Sequence, residues 1–347
     1  MIGSGTQVLL EEIAVGIRRI AESTCARPGR GARGQALLLV AEGLIARRTE
    51  VTGDRMQRAF GKQGFSVSTL GLGTGNIGDP ALDEAQVGAL LDRALDLGIT
   101  LIDTARSYGK AEERIGRHLA HRRHQFVLST KVGYGIPGHK DWTHGCVAAG
   151  IDAALKRLRT DYLDIVHLHS CPLETLQKGD VVRALHKARD QGKLRVAAYS
   201  GENAELQWAI ASGQFGGVEC SVNLFDQRCL EHALPLAQAR GIGVIAKRPL
   251  ANAPWRFAGR PVGDYCEEYW LRRQAMGIET HDMDWPELAL RFAVHAPAVC
   301  CAIVGTASVE HLMQNKEYAD RGPLPPERFE VIRRAFRVHN DNWRGQI

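Results

Sequence analysis

The sequence contains no C-x-x-C pair and no long apolar run. Its eight cysteines are scattered and no signal peptide precedes them, so a disulfide framework is not expected. Reduced thiols in a cytoplasmic protein are the better interpretation. The longest apolar stretch, Ala36–Ala46, is too short to span a bilayer and contains Glu42. We therefore expect no membrane partner.

An excess of charge of one sign is also absent. The 347 residues include 44 Lys and Arg against 39 Asp and Glu, with no block of like charges. Such an even mixture gives no reason to expect a nucleic-acid partner. The 44% of hydrophobic residues is ordinary for a globular protein, and the length suits a single α/β barrel with insertions.

Residues 1–55 contain no Lys and no aromatic residue, whereas Arg recurs and a Pro/Gly/Arg linker lies at Arg27–Gly34. A segment without aromatic side chains builds little core. We predict an N-terminal extension over residues 1–55 that is disordered or reflects a wrongly assigned start, with Met56 as the natural first residue. A targeting peptide fits poorly with Glu11 and Glu12. A docking arm is the remaining alternative.

Residues 56–347 alternate short β-rich runs with helical periods. Arg58–Phe60 and Ser66–Val67, joined across Gly61–Gly64, predict a β-hairpin. Eight apolar runs bounded by turn residues predict strands at Thr69–Leu72, Thr100–Ile102, Phe126–Ser129, Ile165–Leu168, Val196–Tyr199, Val218–Cys220, Gly243–Ala246 and Cys301–Val304. Amphipathic segments predict helices at Asp83–Leu97, Ala111–His121, Cys146–Leu158, Gly179–Gln191, Cys229–Arg240, Pro286–His295 and Ser308–Tyr318.

Repeated strand–helix units imply parallel strands joined by right-handed crossovers. Eight such strands close into a barrel, which removes the sheet edges. An open doubly wound sheet would carry G-x-G-x-x-G after its first strand, and Gly71–Asn76 lacks the third glycine. The predicted fold class is α/β, a (β/α)8 TIM barrel with an N-terminal β-hairpin cap over residues 56–347.

Two long loops are candidates for pocket walls. Ala251–Asp284 follows the seventh barrel strand and is rich in aromatic residues, and loops of this length are usually functional or disordered. We predict that it covers substrate or cofactor at the catalytic rim; packing against the side of the barrel is the alternative. Gly133–Trp142 is the second predicted wall.

In a barrel of this kind the active site lies at the carboxyl ends of the strands. The second barrel strand ends in Asp103, with Tyr108 soon after it, the third ends in Lys131 and the fourth in His169. A carbonyl that accepts hydride needs a proton, which a phenol of pKa ~10 donates poorly at neutral pH. A neighbouring ammonium lowers the pKa of the phenol. An acid can balance that ammonium, and an imidazole can orient the carbonyl oxygen or relay the proton.

Several motifs resemble those of the aldo-keto reductase family. In chain order they are Leu70–Thr74, Ile102-Asp103-Thr104-Ala105-x-x-Tyr108-Gly109 with Glu112 and Gly116, Arg157-Leu158-x-x-Asp161-Tyr162-Leu163-Asp164 running into His169, Pro286–Arg291, and Ile303–Thr306 with Leu312 and Asn315. The resemblance covers about residues 57–320, nearly the whole barrel, in intact order.

The resemblance implies an NAD(P)-dependent oxidoreductase that reduces aldehyde or ketone carbonyls to alcohols. It implies a catalytic tetrad of Asp103, Tyr108, Lys131 and His169, with Tyr108 as general acid. It implies a small carbonyl substrate and NADPH as the cofactor, with NADH as the alternative.

The same resemblance implies where the cofactor binds. The nicotinamide amide would meet Ser200 and Glu219, and the adenosine phosphates would meet Gly305–Asn315, which opens a helix whose amino end suits an anion. The implied cofactor-binding residues are Thr74, Asp103, Ser200, Glu219, Lys247, Arg248, Gly305, Thr306, His311, Gln314 and Asn315.

The chain departs from the family pattern near the nicotinamide. Glu219 stands where many members have Gln and adds a charge. Lys247 and Arg248 stand where an aromatic ring often stacks on the nicotinamide. A guanidinium there can lie flat, or bind the pyrophosphate or an anionic substrate.

Further departures from the family pattern affect the residues that bind the cofactor phosphate and the width of the substrate pocket. Gly305 and His311 stand where Lys and Arg often hold phosphate, which weakens the case for NADP over NAD because a neutral imidazole is a poor partner for a dianion. Gly75 replaces a common pocket Trp, which predicts a wider pocket.

Two other functions are open. His167 and His169 share one face of a strand, and H-x-H on a barrel strand can bind zinc in a metal-dependent hydrolase. The other ligands of such a site are not evident, so we predict no metal and place His167 in the core one layer below His169. A non-catalytic nicotinamide-binding regulatory barrel is the second alternative, and the intact pairing of Tyr108 with Lys131 argues against it.

Overall fold

The computed structural model describes residues 57–347. The predictions for residues 1–55 and for Met56 lie outside the described residues. The first elements of the described part are β1 (Gln57–Ala59) and β2 (Ser66–Ser68), which form a two-stranded sheet. The predicted N-terminal hairpin is therefore confirmed.

The next eight strands are β3 (Leu70–Gly73), β4 (Leu101–Asp103), β5 (Val127–Val132), β6 (Leu163–His169), β7 (Leu194–Ser200), β8 (Gly217–Ser221), β9 (Gly243–Lys247) and β10 (Cys301–Gly305). They pair in parallel with their sequence neighbours, and β10 pairs with β3 to close the barrel. Each predicted strand is present, and the predicted (β/α)8 barrel is confirmed. All carboxyl ends consequently point to one rim.

The hairpin packs against the opposite, amino-terminal end of the barrel. The ring of Phe60 is fully buried, and a Cβ at Gly243 would come within 2.5 Å of it. The missing side chain at the start of β9 therefore makes room for the ring. The backbone N–H of Lys62 also donates to the carbonyl of Gly241 at 2.8 Å, which ties the hairpin to the chain just before that strand.

The helices of the described residues are α1 (Glu84–Asp96), α2 (Ala111–Leu119), α3 (His144–Leu158), α4 (Leu173–Lys178), α5 (Asp180–Asp190), α6 (Asn203–Ser212), α7 (Ala233–Arg240), α8 (Glu267–Met276), α9 (Trp285–Val294), α10 (Val309–Asp320) and α11 (Pro326–His339). All seven predicted helices are present. Asp83 caps the start of α1, because its carboxylate accepts from the backbone N–H groups of Ala85 and Gln86 at 2.9 and 3.0 Å.

Helices α4, α6, α8 and α11 were not predicted from the sequence. Helix α6 escapes a periodicity search because its apolar side chains, among them Leu206, Trp208 and Ile210, point in several directions around the helix. No helix among residues 57–347 combines the length and apolarity needed to cross a bilayer.

The barrel strands alternate between two apolar layers. On β4 the side chain of Leu101 points into the barrel, where it packs with Ile165 and Ile245, while Ile102 faces the surrounding helices. This alternation is the ordinary pleat of a strand. The interior layer ends below the carboxyl rim, where polar side chains replace apolar ones.

The insertion after β9 is divided between the two predicted roles. Tyr265 and neighbouring residues line the cavity at the rim, as predicted. Trp255 instead stacks on Trp285 with ring centroids 5.7 Å apart, and Tyr269 is completely buried. The alternative of packing against the barrel is thus also correct for part of the segment.

Candidate active site

A cavity of about 710 Å³ opens at the carboxyl ends of the barrel strands. Nine of the predicted site residues line it: Thr74, Asp103, Tyr108, His169, Ser200, Glu219, Lys247, Arg248 and Gly305. A Cβ added to Gly75, which also lines the cavity, would meet nothing within 4 Å. The open space at this position agrees with the predicted wider pocket.

Lys131 lies beneath the cavity floor with only 1% of its surface exposed. Its ammonium donates to the carboxylate of Asp103 and to the carbonyl of Thr104, the latter at 3.1 Å. The hydroxyl of Ser129 donates to the other oxygen of Asp103 at 2.8 Å. The ammonium is 5.3 Å from the centroid of the Tyr108 ring. The predicted acid, ammonium and phenol are thus brought together.

Glu219 adds a second carboxylate to this cluster. One of its oxygens, Oε2, is 3.3 Å from Nζ of Lys131, and Oε1 accepts from the hydroxyl of Ser200 at 3.2 Å. Oε2 is buried and has no hydrogen-bond partner among the described residues. Two buried carboxylates therefore share one ammonium. Burial and the charge on Glu219 raise the pKa of Asp103 to about 7.

The surroundings of Tyr108 correct one expectation about its pKa. Lys131 does lower the pKa of the phenol, as predicted, but burial and the charges on Asp103 and Glu219 outweigh it and raise the pKa to about 12. The pKa of the phenol therefore stays well above 7 in the unliganded protein. It is fully protonated at neutral pH, which is the state a proton donor requires.

Lys131 keeps its charge despite being buried. Burial alone would lower the pKa of the ammonium, but the two carboxylates raise it well above its ordinary range.

His169 stands at the end of β6 beside Tyr108, with the two rings 6.2 Å apart and nearly perpendicular. Burial and the charge on Lys131 lower the pKa of the imidazole to about 3. The imidazole is therefore neutral at physiological pH and carries a single N–H donor. His167 lies deeper on the same strand, fully buried, and its Nε2 is 3.0 Å from the hydroxyl of Ser129.

The two cations after β9 already have partners. Nζ of Lys247 is 3.2 Å from Glu202. Arg248 lies over the ring of Tyr265 at 5.0 Å and donates to its hydroxyl and to the carbonyl of Gln346. Both cations still line the cavity, so they contribute positive charge to its wall.

Four predicted cofactor residues, Thr306, His311, Gln314 and Asn315, do not line the cavity. They lie in and before the first turns of α10, next to Gly305 at the rim. The hydroxyl of Ser308 accepts from the backbone N–H of His311 at 3.1 Å and caps the helix. His311 is exposed, whereas Thr306 and Asn315 are buried. The side-chain amide of Gln314 donates to Tyr318 at 2.9 Å, pointing along the helix.

Some residues at the site were not named from the sequence, Tyr134, Arg256 and Ile347 among them. The hydroxyl of Tyr134 is 2.9 Å from Nδ1 of His169. Its place in the predicted Gly133–Trp142 wall was the one available signal. Arg256 lines the cavity from the insertion Ala251–Asp284, which was predicted as a wall without naming this residue, and Ile347 lines it from the far end of the chain, where no local pattern marks it.

The zinc alternative has little support in the geometry. Among the described residues, the three that cluster as a metal-ligand set are Asp103, His167 and Glu219. The ammonium of Lys131 donates a hydrogen bond to Asp103 and lies 3.3 Å from the carboxylate of Glu219. A cation already stands where a metal would bind, and His169 is not part of the set.

The model of the Aldo/keto reductase family matches residues 69–336. The chain belongs to this family. It is 30% identical over 260 residues to methylglyoxal reductase YeaE of Escherichia coli (strain K12), a match that covers 72% of this chain and 84% of that protein. It is 31% identical over 300 residues to a protein of Oryza sativa subsp. japonica named probable voltage-gated potassium channel subunit beta, covering 76% of this chain and 91% of the other.

Solved structures agree with the family assignment. An aldo-keto reductase from Bacillus halodurans, in its holo form, superposes with a TM-score of 0.70 at 25% identity, covering 80% of this chain and 95% of that one. Family membership and the match to a named reductase support an oxidoreductase.

Other residues of the family motifs build the frame around the site. Glu112 is buried and accepts from the hydroxyl of Thr130 and from the guanidinium of Arg157, both at 2.7 Å. A Cβ at Gly116 would lie 2.2 Å from the carbonyl oxygen of Arg157, so only glycine lets α2 approach the end of α3. These motif residues explain the packing that holds β5, and with it Lys131, in place.

Proposed function

We propose that this aldo-keto reductase reduces aldehyde or ketone carbonyls with NAD(P)H, and that Tyr108 donates the proton. The observation that carries the proposal is the position of Tyr108 at the cavity, with its ring centroid 5.3 Å from the buried ammonium of Lys131 and its ring beside the imidazole of His169. A proton donor, a positive charge and a hydrogen-bond donor meet at one place. Reduction of a carbonyl needs all three.

The residues of the cavity fit a nicotinamide cofactor. Oε2 of Glu219, which accepts no hydrogen bond from the described residues and lies 3.3 Å from Nζ of Lys131, and the hydroxyl of Ser200 are acceptors that suit the N–H groups of a carboxamide. Gly305, at the end of β10, lines the cavity, and a Cβ there would come within 2.6 Å of the side-chain oxygen of Asn76. Helix α10 begins four residues later, and a helix amino end favours phosphate. When bound, the reduced cofactor supplies the hydride.

The chain's own residues manage the proton and the developing charge. Tyr108 gives its proton to the carbonyl oxygen as alkoxide charge appears there. Lys131 stabilises the phenolate that remains, and Asp103 holds Lys131 in position through their hydrogen bond. His169, neutral at working pH, orients the carbonyl oxygen by donating a hydrogen bond.

The substrate class we propose is a small carbonyl compound, as for the methylglyoxal reductase relative. The seven described cysteines are all free and buried, which supports a reducing, cytoplasmic setting. A regulatory barrel without catalysis is the second candidate, favoured by the channel-subunit relative. The complete tetrad around the cavity favours the enzyme.

The test is consumption of NADPH by the purified protein with a panel of aldehydes that includes methylglyoxal. Tyr108→Phe should abolish turnover because it removes the proton and leaves the ring. Tyr162→Phe is the matched control, since Tyr162 lies just before β6, at the end of the barrel opposite the rim. Binding of NADPH without turnover of any carbonyl would instead support the regulatory barrel.

A further inference from the structure

Tyr134 stands beside the tetrad in a position that the proposed mechanism does not use. It lies three residues after Lys131, and its hydroxyl oxygen is 2.9 Å from Nδ1 of His169. Its ring also stacks on the imidazole, with centroids 5.6 Å apart and planes inclined by 27°. Tyr134 therefore contacts His169 through both its ring and its hydroxyl.

The loop that carries Tyr134 is closed on itself. The backbone N–H of Trp142 donates to the carbonyl of Gly133 at 2.7 Å, and the N–H of Gly135 donates to the carboxylate of Asp141 at 2.8 Å. A Cβ at Gly133, where φ is 138°, would lie 2.1 Å from the indole of Trp142. The indole packs edge-on against Tyr134 with centroids 5.6 Å apart. The loop thus presents the phenol in one orientation.

A neutral imidazole has one N–H, and its position decides what His169 can do. With the proton on Nε2, the side chain can donate to an oxygen in the cavity; with the proton on Nδ1, it cannot. Among residues 57–347 no side chain or backbone group hydrogen-bonds Nε2 of His169, and the residue lines the cavity. The contact at Nδ1 is therefore the one that selects the tautomer.

We propose that the hydroxyl of Tyr134 donates to Nδ1 of His169 and so holds the imidazole in the tautomer whose Nε2–H faces the substrate. Tyr134 is a positioning residue, because it acts on the substrate only through the imidazole. The effect on turnover rests on the proposed function, whereas the tautomer itself does not.

One competing arrangement is visible in the structure. The hydroxyl of Ser107 is 3.4 Å from that of Tyr134, farther than Nδ1 of His169. If the hydroxyl of Tyr134 donated to Ser107, it would accept a hydrogen bond from Nδ1–H of His169, and Nε2 of His169 would carry no proton. The two arrangements predict opposite protonation of the imidazole.

Long-range ¹H–¹⁵N correlation spectra of protein labelled with ¹⁵N-histidine distinguish them. The His169→Asn variant identifies the signals of His169 by their disappearance. We expect a protonated Nε2 and an unprotonated Nδ1 in the wild type, and a mixture of tautomers in Tyr134→Phe. Ser107→Ala should leave the wild-type pattern unchanged.

A wild type with the proton on Nδ1 would overturn the proposal. So would a Tyr134→Phe variant that keeps the wild-type tautomer, because Tyr134 would then not be its cause. Neither reading depends on finding a substrate, so failure of this inference is distinct from failure of the proposed reductase function.

Kinetics supply the second measurement. Tyr134→Phe keeps the stacked ring and should lower kcat by roughly five- to tenfold, the scale of one net hydrogen bond, with cofactor affinity unchanged. In the His169→Asn background the same change should cost nothing further, since the group on which it acts is gone. Equal losses in both backgrounds would show a merely structural role, and Tyr162→Phe controls for the substitution itself.

Discussion

Glu219→Gln tests whether the second carboxylate sets the proton affinity of Tyr108. The substitution keeps the shape of the side chain and removes a negative charge 3.3 Å from the ammonium of Lys131. At present the pull of Lys131 on the phenol is outweighed by burial and by the charges on Asp103 and Glu219, which hold the pKa at about 12. With one of those charges removed, the pKa of Tyr108 should fall.

The structure gives the scale of the fall. Nζ of Lys131 lies 3.3 Å from Oε2 of Glu219 and 5.3 Å from the centroid of the Tyr108 ring. The carboxylate oxygen and the ring centroid are therefore at most about 9 Å apart. Two unit charges about 9 Å apart interact by about 2 kcal/mol at an effective dielectric constant of about 20. One pKa unit corresponds to about 1.4 kcal/mol, so the pKa should drop by a little more than one unit, to about 11.

The assay is the pH dependence of alcohol oxidation, the reverse reaction, in which the phenolate of Tyr108 accepts the proton. Below the pKa the phenolate fraction grows as the pKa falls, so Glu219→Gln should oxidise alcohol up to about tenfold faster at pH ~9 with saturating cofactor. Reduction at neutral pH should change less, because the phenol is protonated in both proteins. Glu219→Asp, which retains the charge, is the control. Identical pH profiles for Glu219→Gln and the wild type would refute the reasoning.

Three further predictions follow from the same geometry. His311→Arg places a permanent charge on the exposed first turn of α10 and should tighten NADPH binding by about tenfold while leaving the affinity for NADH unchanged. Quenching of the fluorescence of the six tryptophans measures both affinities, and an equal change in the two would contradict a contact with the phosphate. Gly116→Ala should lower the free energy of unfolding by about 1–3 kcal/mol, since the new Cβ meets the carbonyl of Arg157 at 2.2 Å, and an unchanged urea midpoint would contradict this. The pKa of His169 is lowered to about 3, so the imidazole stays neutral above that pH and should produce no break in the pH profile of kcat between pH ~5 and ~8. A break in that range that vanishes in His169→Asn would contradict a neutral His169.

The shared location of Asp103, Tyr108, Lys131 and His169 was predictable because each of them lies at or just after the end of a strand. Once the apolar runs before Asp103, Lys131 and His169 are recognised as strands of one barrel, their side chains must share a rim. The family motifs then select Tyr108 from the loop that follows. Both steps use only local sequence and the topology of parallel strands.

The contact between Glu219 and Lys131 was not predictable in the same way. It joins side chains from β8 and β5 and depends on ångström-scale distances that no local pattern encodes. The raised pKa of Tyr108 depends on burial and on the charges of Asp103 and Glu219, which are equally tertiary effects. The position of Tyr134 likewise depends on how the indole of Trp142 packs over Gly133, a tertiary event within a loop.

The central claim is that the ammonium of Lys131 enables the phenol of Tyr108 to give up its proton. Single-turnover reduction of an aldehyde by Lys131→Met with NADPH bound tests it most directly, with folding confirmed by circular dichroism. We expect a rate at least ~100-fold below that of the wild type, the usual scale of a lost acid–base contribution. A rate close to that of the wild type would contradict it.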